Sequence, residues 1–456
     1  MAARIERLRA GPGFAFPDLG FTAEKRAFSR TYLDTPDRVL ARAGIVLVRH
    51  TEDRRSIWRL HTPSHELETG SGPKPPGPIT AALRAALAGG AELGAVARLR
   101  TRRQSLVVED DAGPSVRIVD DRVSVLSGRR VAESYREIEV APLNGGAAAA
   151  KVAKRLRSAG ATRSSHSELE RLMAAQAPTS ALPELSAALA EQHAQAVCHD
   201  VALRLGGDDE DVHKLRVALR RSRAYLRAAR PLLDAEWSEQ LREELGWAGR
   251  ELGGVRDLDV MLAGLRKQLG RLDEEDRVAF RPLLRRLSAQ RARARAKLPR
   301  ILDDERYLAA VAALQEAAIS PRSLGSTETL DALARHDVQK LLNRAAKVSG
   351  KETDSELHAL RIRAKRGRYA AELLDGKAAA RFVEQAKELQ DLLGEHQDAV
   401  VAEERLRGLP KEGDDRAAVL AAGQLVERER VTKRRVRREL PDMLDRLARR
   451  GKAIAP

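Results

Sequence analysis

From Gly44 to Val140 apolar and polar positions alternate in short β-branched runs separated by turn residues: Gly44–Arg49, Ser56–Leu60, Gln104–Glu109, Ser115–Asp120 and Ser134–Val140. A period of two predicts half-buried antiparallel strands. Ile79–Ala88 and Ala147–Ser158 instead space their apolar residues helically, so this part reads as α+β with seven or eight strands. Gly70–Gly77 holds three prolines and no phosphate-loop spacing, and reads as a surface loop. The strand pattern stops near Gln176–Pro183, and the rest is rich in alanine and leucine with helical periodicity, broken once at Ile319–Thr327. These breaks predict a first domain over 1–175, a linker over 176–183 and a helical domain over 184–450, the last in two portions of about 184–318 and 328–450.

The two helical portions repeat each other. His213, Leu215, Arg216, Arg220, Arg221 and Arg223 align at a constant offset with His358, Leu360, Arg361, Lys365, Arg366 and Arg368. Leu252-Gly253 through Asp257 parallels Leu393-Gly394 through Asp398 after a four-residue deletion. Duplication of a unit too long for one helix pair predicts two packed antiparallel bundles related by a pseudo-twofold. At about 100° per residue, His213, Arg216, Arg220, Arg223 and Arg227 fall within an arc of about 80°, with Leu215, Leu219 and Leu226 on the far side. His358, Arg361, Lys365 and Arg368 form the matching arc, with Arg221 and Arg366 flanking the two. Another basic run near the end includes Lys433 and Arg437.

A solvated helix face would mix signs to gain pairs one turn apart, yet no Asp or Glu occurs from Val212 to Leu233 or from Leu357 to Ala371. Stacked like charges call for an anionic counterion. The whole chain agrees, with 82 Lys+Arg against 66 Asp+Glu, net +16, although residues 1–175 carry +9 of that excess and bulk charge does not locate the site. The histidines lack a His-Glu-x-x-His partner, and the single cysteine, Cys198, excludes both an internal disulfide and a thiolate zinc site, so phosphate contact is expected of them rather than metal ligation. Histidine beside arginine disfavours its own charge, which predicts affinity rising as pH falls. Aromatic residues make up only 3% of the chain, too few for the stacking platforms of single-stranded nucleic-acid binding; a phosphate polymer without bases fits better. No window approaches a membrane span, and the first residues lack a signal-peptide apolar core, so a cytoplasmic protein without membrane partners is expected.

The paired His-x-x-Arg-x-x-x-(Arg/Lys)-Arg-x-Arg motif and Leu252-Gly253-x-x-Arg256-Asp257 resemble the CHAD domain, the conserved histidine α-helical domain. That resemblance implies two four-helix bundles about a basic channel, inorganic polyphosphate as partner, no required cofactor, and association with polyphosphate granules. The polyphosphate-binding residues expected are His213, Arg216, Arg220, Arg221, Arg223, Arg227, His358, Arg361, Lys365, Arg366, Arg368, Lys433 and Arg437. The first domain is similar to the CYTH, or triphosphate tunnel, family at Arg30–Asp37, Leu40–Ile45, Val96–Arg103 and Arg136–Val140, which implies an eight-stranded antiparallel tunnel barrel. The family's first-strand Glu-x-Glu-x-Lys signature is not intact: Arg4, Glu6, Leu8 and Arg9 stand there, His61 stands where a lysine is expected, and the late lysine is missing from Ser167–Arg171. Metal-dependent hydrolysis of triphosphate needs paired carboxylates, so it is expected to be lost. Glu137 and Glu139 are the remaining candidates for Mg or Mn, and Arg98, Arg100 and Arg102, alternating on one strand face, are candidates for a residual anion site. An active inorganic triphosphatase is the alternative reading, and nucleic-acid binding a distant third.

Overall fold

The computed structural model describes residues 6–10, 14, 21–110, 113–128, 130–143, 147–163, 180–325 and 327–454. The chain divides into two compact units, Met1–Gln176 and Ala177–Pro456. Arg4, the Ser167–Arg171 stretch and residues 176–179 of the expected linker lie outside the described residues.

In the first unit the strands are β1 (Glu6–Ala10), β2 (Phe21–Asp34), β3 (Val46–Glu52), β4 (Arg55–His61), β5 (Glu66–Thr69), β6 (Gly94–Asp110), β7 (Gly113–Ser127), β8 (Arg130–Pro142) and β9 (Thr162–Arg163). They form one antiparallel sheet in the order β5-β4-β3-β2-β6-β7-β8-β1-β9. The α+β class predicted from sequence is correct, but the barrel is open. Among the described residues nothing joins the four-residue edge strand β5 to the two-residue edge strand β9, and nine strands replace the expected seven or eight. Strand β2 was hidden from pattern reading because its polar residues, among them Glu24, Lys25, Arg26, Ser29 and Arg30, fall on both faces and blur the alternation. Short helices α1 (Val39–Arg42) and α2 (Gly77–Ala82) follow, the latter ending earlier than its apolar spacing suggests, whereas α3 spans Ala147–Ser158 as predicted. Val152, Ala153 and Leu156 of α3 pack on Leu8, Leu106, Ile118 and Ile138, which places the main core of this unit on one face of the sheet.

The second unit is helical: α4 (Pro183–Arg204), α5 (Asp209–Ala228), α6 (Ala235–Glu251), α7 (Gly253–Leu269), α8 (Glu274–Arg295), α9 (Leu298–Asp303), α10 (Glu305–Ile319), α11 (Leu330–Ala345), α12 (Asp354–Ala371), α13 (Lys377–Gly408) and α14 (Arg416–Gly451). Helices α4, α5, α6 and α10 pack as one bundle, and α11 to α14 as the other. The repeats are not mirror images in detail. Where α13 runs unbroken through Leu393-Gly394, the first copy breaks at Leu252 into α6 and α7. The α7–α8 hairpin then packs Leu262, Leu265, Phe280 and Leu283 on Leu406, Ala421 and Leu425 of α13 and α14, so the two copies share a core.

Candidate anion-binding site

Matched caps set the phase of the two basic helices. Asp208 accepts hydrogen bonds from the backbone N–H groups of Glu210 and Asp211 at 2.8 and 3.2 Å, and Asp211 accepts from the Asp208 N–H at 3.0 Å. At the same offset, Thr353 accepts from the Glu356 N–H at 3.3 Å and Glu356 accepts from the Thr353 N–H at 2.8 Å. These reciprocal capping boxes start each helix five residues before its histidine, so both stripes emerge on the same arc. Leu215, Leu219 and Leu226, and Leu357, Leu360 and Ala364, are buried on the packing sides.

The duplicated glycine motif seats the duplicated arginine. Arg216 Nη1 donates to the Gly253 carbonyl at 3.0 Å and lies 3.3 Å from Asp257 Oδ1. A Cβ on Gly253 would stand 3.4 Å from Arg216 Nη2, and one on Gly394 would stand 3.7 Å from Arg361 Nη2, so each guanidinium lies against a helix with no side chain beneath it. Asp398 faces Arg361 as Asp257 faces Arg216. Arg220 bridges the copies: its Nε donates to the Tyr369 hydroxyl at 3.2 Å, and its charge acts on Arg361 and Lys365. Arg256, from the same motif, faces His213 and Arg216. Thus His213, Arg216, Arg220 and Arg256 of the first copy meet Arg361 and Lys365 of the second, with Asp257 opposing Arg216, Asp398 opposing Arg361 and Lys365, and Asp391 acting more weakly on Arg361. His358 Nδ1 pairs with Gln397 Oε1 at 2.7 Å, and Gln397 occupies the motif position that Arg256 holds in the first copy.

Two features leave this cluster with unmet polar groups and uncompensated charge. The Nε atoms of Arg256 and Arg361 are buried with no hydrogen-bond partner, although buried donors are nearly always paired. Burial, followed by the charges of Arg361 and Arg220, pulls the Lys365 ammonium down to about 7. Burial also lowers the pKa of Arg216 and Arg361, and burial followed by Arg256 lowers that of His213.

Arg221, Arg223, Arg368, Lys433 and Arg437 are engaged by the protein itself. Arg221 Nε and Nη2 donate to both Glu372 carboxylate oxygens at 3.1 and 2.8 Å, a bidentate bridge between the copies. Arg223 Nε donates to the Arg242 carbonyl at 3.0 Å, and a Cβ on Gly246 would meet its guanidinium at 3.0 Å. Arg368 is buried over the Tyr369 ring, 4.6 Å from its centroid, with Glu372 at 3.6 Å. Lys433 lies 2.8 Å from Glu403 and 3.2 Å from Asp354, while Arg437 lies 2.6 Å from Asp354 and also donates to the Glu352 carbonyl. Arg227 and Arg366 lie together, away from the central cluster. Arg256 was visible in the sequence as part of the repeated glycine motif, but its place beside His213 arises only when α5 and α7 pack.

In the first unit, register decides which face each charge occupies. Arg98, Arg100 and Arg102 do share one face of β6, and all three are exposed. It is not the face that carries Arg30, His50, Arg103 and the β8 carboxylates: Arg30 pairs with Leu99 and His50, and Arg103 with Asp121, which pairs with Glu137. Alternation therefore sends the three arginines to the opposite side. Glu137 and Glu139 stand opposite Arg9 and Arg7, and Glu139 lies 3.1 Å from Arg7 Nε. Glu6, the surviving first-strand carboxylate, pairs with Val140 on the other face and is held by Arg157 and by Arg163 at 3.0 Å. Carboxylates on opposite faces cannot share a cation, and among the described residues no group of three His, Cys, Asp or Glu side chains could hold a metal ion. These residues do not fit the Mg or Mn site that the tunnel resemblance implies. Asp34, within the Arg30–Asp37 stretch of that resemblance, is fully buried and accepts from the N–H groups of Thr35, Leu40 and Ala41 at 2.7, 2.9 and 3.0 Å, which ties down the start of α1.

Residues 187–407 match the CHAD domain family, so the helical unit carries a CHAD domain. An uncharacterized protein of Mycobacterium tuberculosis is 29% identical over 423 residues, covering 82% of this chain and 80% of that protein. Among solved structures, PptA from Streptomyces chartreusis aligns with 57% of this chain and 98% of its own at 22% identity and a TM-score of 0.50, a likeness of fold. A putative adenylate cyclase from Bacillus halodurans aligns with 37% of this chain and 96% of its own, at 15% identity and a TM-score of 0.26. No helix among the described residues is long and apolar enough to cross a membrane.

Proposed function

We propose that this chain binds inorganic polyphosphate at the junction of its two helical repeats, and does so as a binding protein associated with polyphosphate granules. The observation that carries the reading is the meeting of His213, Arg216, Arg220, Arg256, Arg361 and Lys365 around buried, unpartnered Arg256 and Arg361 Nε atoms. Guanidinium forks match phosphate oxygens, and a chain of them can be threaded along successive cations. A polymer without bases is favoured over nucleic acid because Tyr225 and Tyr369, the aromatics nearest the cluster, are 4% and 1% exposed and packed edge-on against each other at 6.4 Å. Neither offers a face on which a base could stack.

Reversing charge at both seated arginines, Arg216→Glu with Arg361→Glu, removes two charge-assisted contacts of about 1.5–3 kcal/mol each. Binding of long-chain polyphosphate in a fluorescence competition assay should weaken at least about a hundredfold, with far-ultraviolet circular dichroism unchanged. Binding that survives the double change sinks the reading. Single-stranded DNA should compete poorly at physiological salt, and a polyphosphate stain should show granule co-localisation that the double variant loses.

A further inference from the structure

The repeat correspondence predicts a contact that the structure breaks. At the constant offset that matches His213 to His358, Arg221 corresponds to Arg366, and Glu372 corresponds to Arg227. Where α5 meets α12, Arg221 and the Tyr225 hydroxyl both donate to Glu372, the latter at 2.6 Å. The pseudo-symmetric exchange of that contact pairs Arg366 with Arg227, cation against cation, and Arg366 is the strongest charge acting on Arg227. Arg242 of α6 and Arg363 of α12 join the same pocket of charge. Its carboxylates are Asp337 of α11, which Lys340 approaches to 3.6 Å, and Glu239, which Arg242 holds. Arg227 Nη1 and Arg242 Nε are buried without a hydrogen-bond partner, while Arg366 is exposed and leaves the group open to solvent. Along α5, Arg227 lies two turns, about 10 Å, beyond Arg220 of the central cluster.

We propose that Arg227, Arg242, Arg363 and Arg366 form a second phosphate-binding site, separate from the central cluster and created by the loss of the carboxylate that closes the equivalent contact. It takes one phosphate group, supplied as free orthophosphate or as a residue of a phosphate chain. This site rests on the broken repeat symmetry and not on the polyphosphate reading of the central cluster.

Calorimetric titration of the full-length protein with tripolyphosphate tests it. Wild type should show two binding events, and the Arg216→Glu, Arg361→Glu protein should keep one. Adding Arg227→Glu, or the pair Arg363→Gln and Arg366→Gln at the accessible edge, should abolish the remaining event. Arg227→Glu should also raise the melting temperature of the free protein, because Glu at 227 recreates opposite Arg366 the bridge that Glu372 makes with Arg221. A remaining event that titrates unchanged in both sets of variants overturns the site, as does its absence from the Arg216→Glu, Arg361→Glu protein when wild type binds. Saturation by orthophosphate alone supports the site and identifies a free ion as its ligand; saturation by chains alone supports it and identifies a chain residue.

Discussion

Replacing Lys365 by arginine should flatten the pH dependence of polyphosphate binding. In the free protein Lys365 titrates at about 7 because it is buried beside Arg361, Arg220 and Arg368, with Asp398 opposing them only in part. A phosphate chain laid against it favours the ammonium, so binding above neutrality requires uptake of a proton. At pH 6 about nine in ten of these side chains are already charged and at pH 8 about one in ten, which makes binding about tenfold weaker at pH 8 than at pH 6 from this group alone. Protonation of His213, held down by burial and by Arg256, acts in the same direction. Arginine at position 365 stays charged throughout and removes the tenfold component. Long chains should be used, so that the titrating terminal phosphates contribute little. Calorimetry at pH 8 in two buffers of different ionisation enthalpy counts the protons directly: Lys365→Arg should take up about one proton fewer per bound site than wild type, any uptake by His213 being common to both. Equal pH profiles in the two proteins, or no proton uptake by wild type, would refute the reasoning. The same group sets a stability trend. Its folded pKa of about 7 lies below the unfolded value of about 10.4, so the unfolded chain holds more protons between those limits. The contribution of Lys365 to stability without ligand is therefore most unfavourable below pH 7 and improves as pH rises towards about 10.

Further outcomes follow from the same packing. Glu372→Ala strips Arg221 and the buried Tyr225 hydroxyl of their shared acceptor and should cost about 2–3 kcal/mol in urea denaturation, with a shift in midpoint and little change in slope. Gly367→Ala would drive its Cβ to 2.8 Å from Leu341 Cδ2 and 2.9 Å from Leu341 Cβ, and overpacking there should cost about 1–3 kcal/mol despite the gain in helix propensity. Arg361→Gln should weaken binding at low salt most and flatten the plot of log affinity against log salt by about 0.7 units, by analogy with single-stranded polyanions. A slope equal to that of wild type would remove Arg361 from the contact set.

The two basic helices were legible in the sequence because a helix repeats its face every 3.6 residues and the duplication shows the same face twice. The fold class was legible for a related reason: alternation and helical periodicity change over at one place, near Gln176. Which arginines remain available was not legible. Arg221 meets Glu372 from the other repeat, Arg223 meets a backbone carbonyl of α6, and Lys433 and Arg437 meet Asp354 at the start of α12. Each partner is distant in sequence, so a stripe read from one helix counts cations that tertiary packing has already neutralised. The first unit shows the matching problem for strands. Alternation placed Arg98, Arg100 and Arg102 on a common face, but which face carries the other charged groups is set by pairing with β2 and β7. Alternation could not show that the sheet stays open either, because closure depends on edge pairing between β5 and β9 rather than on the pattern within any strand.

Arginine-selective modification read by mass spectrometry, with and without saturating long-chain polyphosphate, tests the central claim most directly. Arg216, Arg256 and Arg361 should become protected while Arg98, Arg100 and Arg102 react at unchanged rates. Protection of the three sheet arginines with no change at Arg216, Arg256 and Arg361 would contradict the account.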